Sequence, residues 1–256
     1  MSIALFDSGI GGLTVLYEAR KRMPSEDYIF YADTLHVPYG SKPKEKVKDY
    51  ILSAVRSIME QDVKALVVAC NTATSVAIQD LRAMYNIPIV GMEPAVKPAV
   101  EMNRSSGRRV LVAATPLTLK ESKFHELVKR VDDRSIVDTL PLPELVEYCE
   151  DLVFEGEMIE SYFQQKLSGF QLEHYGTLVL GCTHYPFYRR VLSRILPAHM
   201  KIIDGSGGTA KRLQEVVKPA ADAKGEGSVR FMCSDENPEY LSKMRRALQI
   251  YSEMQA

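Results

Sequence analysis

Short apolar runs alternate along this chain with longer amphipathic stretches. The runs Ile3–Phe6, Tyr28–Tyr31, Ala65–Ala69, Ile87–Val90, Val110–Ala113, Ser135–Thr139, Thr177–Leu180, Lys201–Ile203 and Val229–Met232 predict strands. Between most of them, apolar positions at helical spacing predict helices, among them Leu13–Arg22, Pro43–Gln61, Thr74–Met84, Leu117–Val131, Pro186–Leu196 and Thr209–Val217. Runs that are continuously apolar belong to strands buried on both faces, and strands separated by helices of ~10–18 residues form βαβ units around a mostly parallel sheet. The expected fold class is therefore α/β. In such sheets ligands and reactive groups collect beyond the carboxyl ends of the strands, so the residues just after each run matter most.

Two of those exits resemble each other. In 65-ALVVACNTAT-74 and 177-TLVLGCTHYP-186 an apolar run ends on a cysteine followed by small polar residues. Two further exits, Asp7-Ser8 and Thr115-Pro116-Leu117-Thr118, are separated by nearly the same interval as the two cysteines. Matching intervals predict two α/β halves related by a pseudo-twofold axis, with their strand ends facing a shared cleft. The stretch 94-PAVKP-98 and the glycine-rich 204-DGSGGTA-210 are the expected crossings; the glycines of the second cradle an anion or form a linker, and the linker is the favoured reading. This divides the chain into a first domain of 1–94 plus 209–256 and a second of 95–208.

Composition narrows the partners. A formal net charge of -1 with mixed signs argues against a nucleic-acid binder held by phosphate contacts. The lysines at 42, 44, 46 and 48 are interrupted by Glu45 and Asp49 and read as a solvated helix face. No apolar run approaches the ~20 residues needed to span a bilayer, and the start MSIALFDSG carries no secretory signal. Cys70, Cys149, Cys182 and Cys233 form no closely spaced pair, so reduced thiols in a cytoplasmic protein are expected.

The opening 6-FDSGIGGLTV-15 mimics a dinucleotide fingerprint but fails it, since the third glycine position is Thr14. Two readings remain: Asp7 or Ser8 caps the next helix, or the glycines let backbone approach something closely. Cys70 and Cys182 each stand at a strand end beside a helix start, where a thiolate is stabilised. His184, two residues after Cys182, can exchange a proton with it. Cys149, in 143-PELVEYCEDLVFEG-156, and Cys233 lack this context and read as structural. In 32-ADTLHVPYGSKP-43, Tyr39 caps the cleft with the amides of Tyr39 and Gly40 facing a ligand, or the segment is an ordinary turn. Thr115 and Thr118 are helix caps or carboxylate ligands.

Ser8, Asn71, Thr72, Thr115, Thr118 and Thr183 offer hydroxyls and an amide suited to an amino acid. Asp7 or Glu147 would attract its ammonium. With a thiol on each side of the α-carbon, one thiolate removes the proton and the opposite thiol returns another, which inverts the centre. Donors on the substrate carboxylate must then stabilise enediolate-like charge in a dry cleft.

The trio DSGIGGLTV, ACNTAT and LGCTHYP, with DT…PYG between the first two, resembles the glutamate racemase family over essentially the whole chain. That family consists of cofactor-independent enzymes supplying D-glutamate for bacterial peptidoglycan. The resemblance implies two pseudo-symmetric α/β domains with the active site in the interdomain cleft, no cofactor, no metal, and a homodimer with glutamate as substrate. It implies that Cys70 and Cys182 are the catalytic pair, and that Asp7 and His184 assist them. Glu147 matches an acidic residue assisting His184, and substrate contacts fall on Asp7, Ser8, Tyr39, Gly40, Asn71, Thr72, Thr115, Thr118, Thr183 and His184. Aspartate racemases resemble GCTE at the second cysteine, so His184 favours glutamate. The chain opens on its first strand, without the extension of members activated by a cell-wall precursor, and no such activation is expected. Three rivals stand beside this reading: related racemase or decarboxylase chemistry, a metal held by Cys70, Cys182, His184 and Asp7, and a non-catalytic amino-acid-binding module.

Overall fold

The computed structural model describes residues 1–217 and 226–255. Positions 218–225 and 256 of the expected first domain lie outside the described residues. Every expected strand forms, its ends within two residues of the expectation. The strands are β1 (Ser2–Asp7), β2 (Tyr28–Ala32), β3 (Val63–Val68), β4 (Ile89–Gly91), β5 (Arg109–Ala114), β6 (Val137–Pro141), β7 (Tyr175–Leu180), β8 (Lys201–Asp204) and β9 (Val229–Cys233). The helices are α1 (Leu13–Arg22), α2 (Lys44–Met59), α3 (Asn71–Met84), α4 (Val96–Asn103), α5 (Pro116–Lys120), α6 (Ser122–Val131), α7 (Glu144–Glu150), α8 (Glu157–Leu167), α9 (Arg189–Ile195), α10 (Ser206–Val217) and α11 (Pro238–Gln255).

The strands form two parallel sheets, ordered β4-β3-β1-β2-β9 and β6-β5-β7-β8. Read from the other edge, the second sheet is β8-β7-β5-β6, the same winding as β4-β3-β1-β2. Both repeats even carry a register irregularity at the same place, between Ser2 and Ile3 and between Arg109 and Val110. The pseudo-symmetry is thus a property of the sheets, with β9 added to the edge of the first. All of β7 and all of β1 beyond Ser2 are buried, because helices cover both faces. That burial is why the sequence shows solid apolar runs there.

Register delivers the site. Phe6 pairs with Val68 and Ala113 with Leu180, so the exits after β1 and β3 leave side by side, as do those after β5 and β7. α10 returns to the first sheet, packing on α1, β3 and β4. Where the chain crosses between sheets, Gly205 passes the Glu93 carbonyl, so the two crossings lie against each other. The stretch 204-DGSGGTA-210 is not a linker: Asp204 Oδ1 accepts from the Ser206 N–H at 2.8 Å and starts α10 directly. The helix expected over Leu117–Val131 breaks at Glu121, whose backbone is extended and whose carboxylate pairs with Lys44 from the first unit at 2.6 Å. No helix among the described residues is long and apolar enough to cross a membrane.

Candidate active site

Cys70 leaves β3 with an extended backbone and caps α3, its Sγ accepting from the Ala73 N–H at 3.4 Å. Ser8, leaving β1, places its Oγ 3.8 Å from the same sulfur. Burial pushes the Cys70 thiol well up, and the charges of Asp7 and Cys182 push the same way. Asp7, fully buried, accepts from the Gly9 N–H and, across the cleft, from the Thr183 hydroxyl, both at 3.0 Å. Burial raises its carboxyl above the usual range, although the charge of His184 and these two hydrogen bonds pull the other way.

Cys182 leaves β7, and its sulfur lies 3.6 Å from His184 Nδ1. The other ring nitrogen, Nε2, donates to Glu150 Oε1 at 2.9 Å. Burial lowers the affinity of His184 for its proton, but Cys182 and Glu150 together outweigh it, and the imidazole titrates well above its ordinary value. Glu150 is the complement. Burial raises its carboxyl, yet hydrogen bonds and charge from His184, with Lys243 and Tyr240, bring it down to about 2. The imidazole therefore stands between a sulfur and a carboxylate, both of which favour its protonated form.

This corrects the expectation for Glu147, which is exposed on α7. Glu150 lies three residues on, at the last position of the same helix, and is the acid that meets His184. Its place explains why it needs partners: a carboxylate at a helix C-terminus opposes the helix dipole and requires other donors. The Ile10 N–H supplies one at 2.8 Å. The glycines of DSGIGG make that approach possible, so the second of the two readings of that motif holds. A Cβ on Gly9 would lie 1.9 Å from Glu150 Oε1, and one on Gly11 2.5 Å from both His184 Nδ1 and Thr183 Oγ1. Neither could be tolerated without displacing the ion pair.

Across the cleft, Thr72 from α3 meets Thr115 and Thr118 from the second unit, with hydroxyl separations of 2.9 and 3.0 Å. Thr115 Oγ1 also accepts from the Thr118 N–H, so it is cap and cleft-liner at once. Asn71 is 2% exposed, and among the described residues neither its Nδ2 nor its Oδ1 has a hydrogen-bond partner. A buried amide without partners costs about 1–3 kcal/mol, so its presence here points to a polar ligand. Gly40 accepts from the Leu117 N–H at 3.0 Å, joining the 32–43 segment to the second unit. Tyr39 departs from expectation: its ring is buried against Phe6 and its hydroxyl donates to Asp33, so the side chain is core and not a lid. Cys149 sits fully buried in the core and Cys233 is nearly so. Among the described residues, no group of three or more His, Cys, Asp or Glu side chains is arranged to hold a metal ion.

Paired parallel sheets with one thiol beyond each define the class, and the family model for Asp/Glu/Hydantoin racemases matches residues 15–213. The chain belongs to that family. It is 51% identical over 259 residues to glutamate racemase 2 of Bacillus subtilis, covering 100% of this chain and 98% of that protein. It is 50% identical over 257 residues to a glutamate racemase of Halothermothrix orenii, covering 99% and 100%. Among solved structures, that of Escherichia coli glutamate racemase in complex with L-glutamate and the activator UDP-MurNAc-ala superposes with a TM-score of 0.84 at 31% identity, covering 96% of this chain and 95% of that one.

Proposed function

We propose that this protein interconverts L-glutamate and D-glutamate with two thiols and no cofactor. The observation that carries the reading is the matched pair Cys70 and Cys182, each just past a central strand of its own sheet, buried, and close enough that the charge of one weighs on the titration of the other. One sulfur, as thiolate, takes the α-proton and becomes a thiol. The opposite thiol then gives its proton to the far face of the carbanion and is left as thiolate, so protons balance and the enzyme emerges in the mirror protonation state. The two sulfurs must hold opposite states at any moment, and their surroundings support that. Burial favours the protonated form of Cys70, whereas Cys182 stands 3.6 Å from the ring of His184, whose proton is held more tightly than usual.

Asn71 and the hydroxyls of Ser8, Thr72, Thr115, Thr118 and Thr183 are the donors and acceptors for the substrate's carboxylates and ammonium, with the backbone at Tyr39 and Gly40 alongside. Asp7 and His184 assist the two thiols. The functional units are 1–94 with 209–256, and 95–208, the second boundary falling inside α10. Glutamate is preferred to aspartate because the relatives sharing half of this sequence carry that name. The role that follows is supply of D-glutamate for peptidoglycan by a cytoplasmic homodimer.

Proton NMR of each enantiomer separately, with enzyme in D₂O and no added cofactor, tests the reading. The expected result is loss of the α-proton signal and accumulation of the opposite enantiomer. Exchange of aspartate but not glutamate would overturn the substrate and keep the mechanism; exchange of neither overturns both.

A further inference from the structure

Glu150 is held from two sides. Its Oε1 accepts from the Ile10 N–H and from His184, and its Oε2 accepts from the Tyr240 hydroxyl at 2.6 Å. Lys243 Nζ donates to that same Oε2 at 3.3 Å and to the Glu150 backbone carbonyl at 2.8 Å. The second bond satisfies an orphan carbonyl at the end of α7 and lets a cation offset the unfavourable placement of an acid there. Tyr240 and Lys243 are one turn apart on α11, with the ammonium 4.0 Å from the centre of the tyrosine ring.

α11 packs beside β9 and α1 of the first unit, while Glu150, His184 and Cys182 belong to the second. Tyr251 of the same helix touches both, lying 5.5 Å from Tyr17 and 4.9 Å from Phe187 between ring centres. The helix therefore bridges the two units. Tyr240 and Lys243 connect to Cys182 through Glu150 and His184, whereas Cys70 is served by Ser8 and the Ala73 N–H.

We propose that Tyr240 and Lys243 are positioning residues for the Cys182 half of the reaction, holding Glu150 so that it fixes His184 against that sulfur. The inference rests on the two-thiol reading above. Neither residue touches the reacting atoms. Each acts through the carboxylate, so its loss disturbs proton transfer at Cys182 and leaves transfer at Cys70 as it was.

The test is the primary isotope effect on kcat/KM with α-deuterated L-glutamate and α-deuterated D-glutamate, for the wild type, the near-isosteric Tyr240→Phe, Lys243→Met and Lys243→Arg. Because the enantiomers are equally stable, any variant lowers kcat/KM alike in both directions, and about tenfold is expected for loss of a charge-assisted hydrogen bond. The isotope effects separate the two half-reactions. If only the Cys182 step slows, the effect rises for the enantiomer whose proton goes to Cys182 and falls towards unity for the other. That split in Tyr240→Phe and Lys243→Met, with Lys243→Arg nearer to the wild type, is the expected result. Introducing Tyr240→Phe into Glu150→Gln is expected to add little, since both act on one contact. Isotope effects that move together, or a full further loss in the Glu150→Gln background, overturn the proposal while the wild type still racemises. A wild type that exchanges no α-proton overturns the racemase reading, and this inference with it.

Discussion

His184 and Glu150 form a buried ion pair, Nε2 to Oε1 at 2.9 Å, with side chains only 2% and 11% exposed. Burying both charges is costly, and the pair persists because Ile10, Tyr240 and Lys243 satisfy the remaining oxygen valences. It turns the imidazole's other nitrogen towards Cys182.

The pair sets an acid limit on stability. The carboxyl of Glu150 is held down to about 2 from its ordinary 4.5. A depressed acid contributes stability that is present above its unfolded value and lost as pH falls through its folded value. The contribution, on the order of 3 kcal/mol, is therefore complete at neutral pH and disappears between pH 4.5 and 2. His184 is protonated in both states across that window, because its folded value is raised, and adds no slope of its own there. Glu150→Gln is expected to be less stable than the wild type at pH 7 and to lose less stability on acidification. Denaturant titrations at pH 7, 4 and 3 check this; curves that stay parallel would exclude the ion pair as the cause.

Asn71 makes the opposite trade. Its unpartnered amide is retained against a cost in the free protein, so a shape-conserving Asn71→Leu is expected to leave melting temperature unchanged or raised. The same change is expected to raise KM for glutamate by about tenfold to a hundredfold, one lost polar contact being worth about 1–3 kcal/mol. A substitution that destabilises the protein and leaves KM alone would make Asn71 a structural residue.

How far the sequence could be read depended on the reach of each interaction. β1, β3 and β7 declare themselves because burial on both faces keeps the runs Ile3–Phe6, Ala65–Ala69 and Leu178–Leu180 free of polar residues, and Cys70 and Cys182 are conspicuous as the first polarisable groups after such runs. Glu150 was hidden among three acids on one short helix. Choosing between Glu147 and Glu150 needs the rotation of α7 against the first unit, which no local pattern encodes. Tyr240 and Lys243 were beyond reach for the same reason, since Tyr240 meets its partner across 90 positions of chain. Tyr39 misled because a tyrosine in a loop commonly faces a ligand, whereas Phe6 and Asp33 give this one both an apolar wall and an acceptor.

Gly11→Ala tests the close approach at the α1 end. A methyl group there meets His184 Nδ1 and Thr183 Oγ1 at 2.5 Å, well inside contact distance. Relief requires either ring or hydroxyl to move, and both hold the cleft together. The expected cost is about 1–3 kcal/mol of stability, with a fall of about a hundredfold in kcat/KM from misplaced groups. Gly107→Ala is the control. Its φ of +66 disfavours alanine, but nothing among the described residues lies within 4 Å of the added methyl, so stability is expected to drop with kcat/KM unchanged. Equal activity losses in both variants would reduce the effect at Gly11 to general strain.

The sharpest expectation concerns the thiols. Cys70→Ala and Cys182→Ala each remove one of two proton carriers, and racemisation needs both in every turnover. Each is expected to lower kcat by about a hundredfold to ten-thousandfold. Exchange without inversion separates the two: an enzyme left with one thiol can still take the α-proton from the enantiomer that presents it and return a deuteron to the same face. In D₂O, each variant is therefore expected to wash out the α-proton of one enantiomer slowly, with retention, and to leave the other untouched, the two variants having opposite choices. Cys233→Ala, at the outer edge of the first sheet, is expected to racemise like the wild type. If either Cys70→Ala or Cys182→Ala inverts glutamate at the wild-type rate, the matched thiols are not the acid and base.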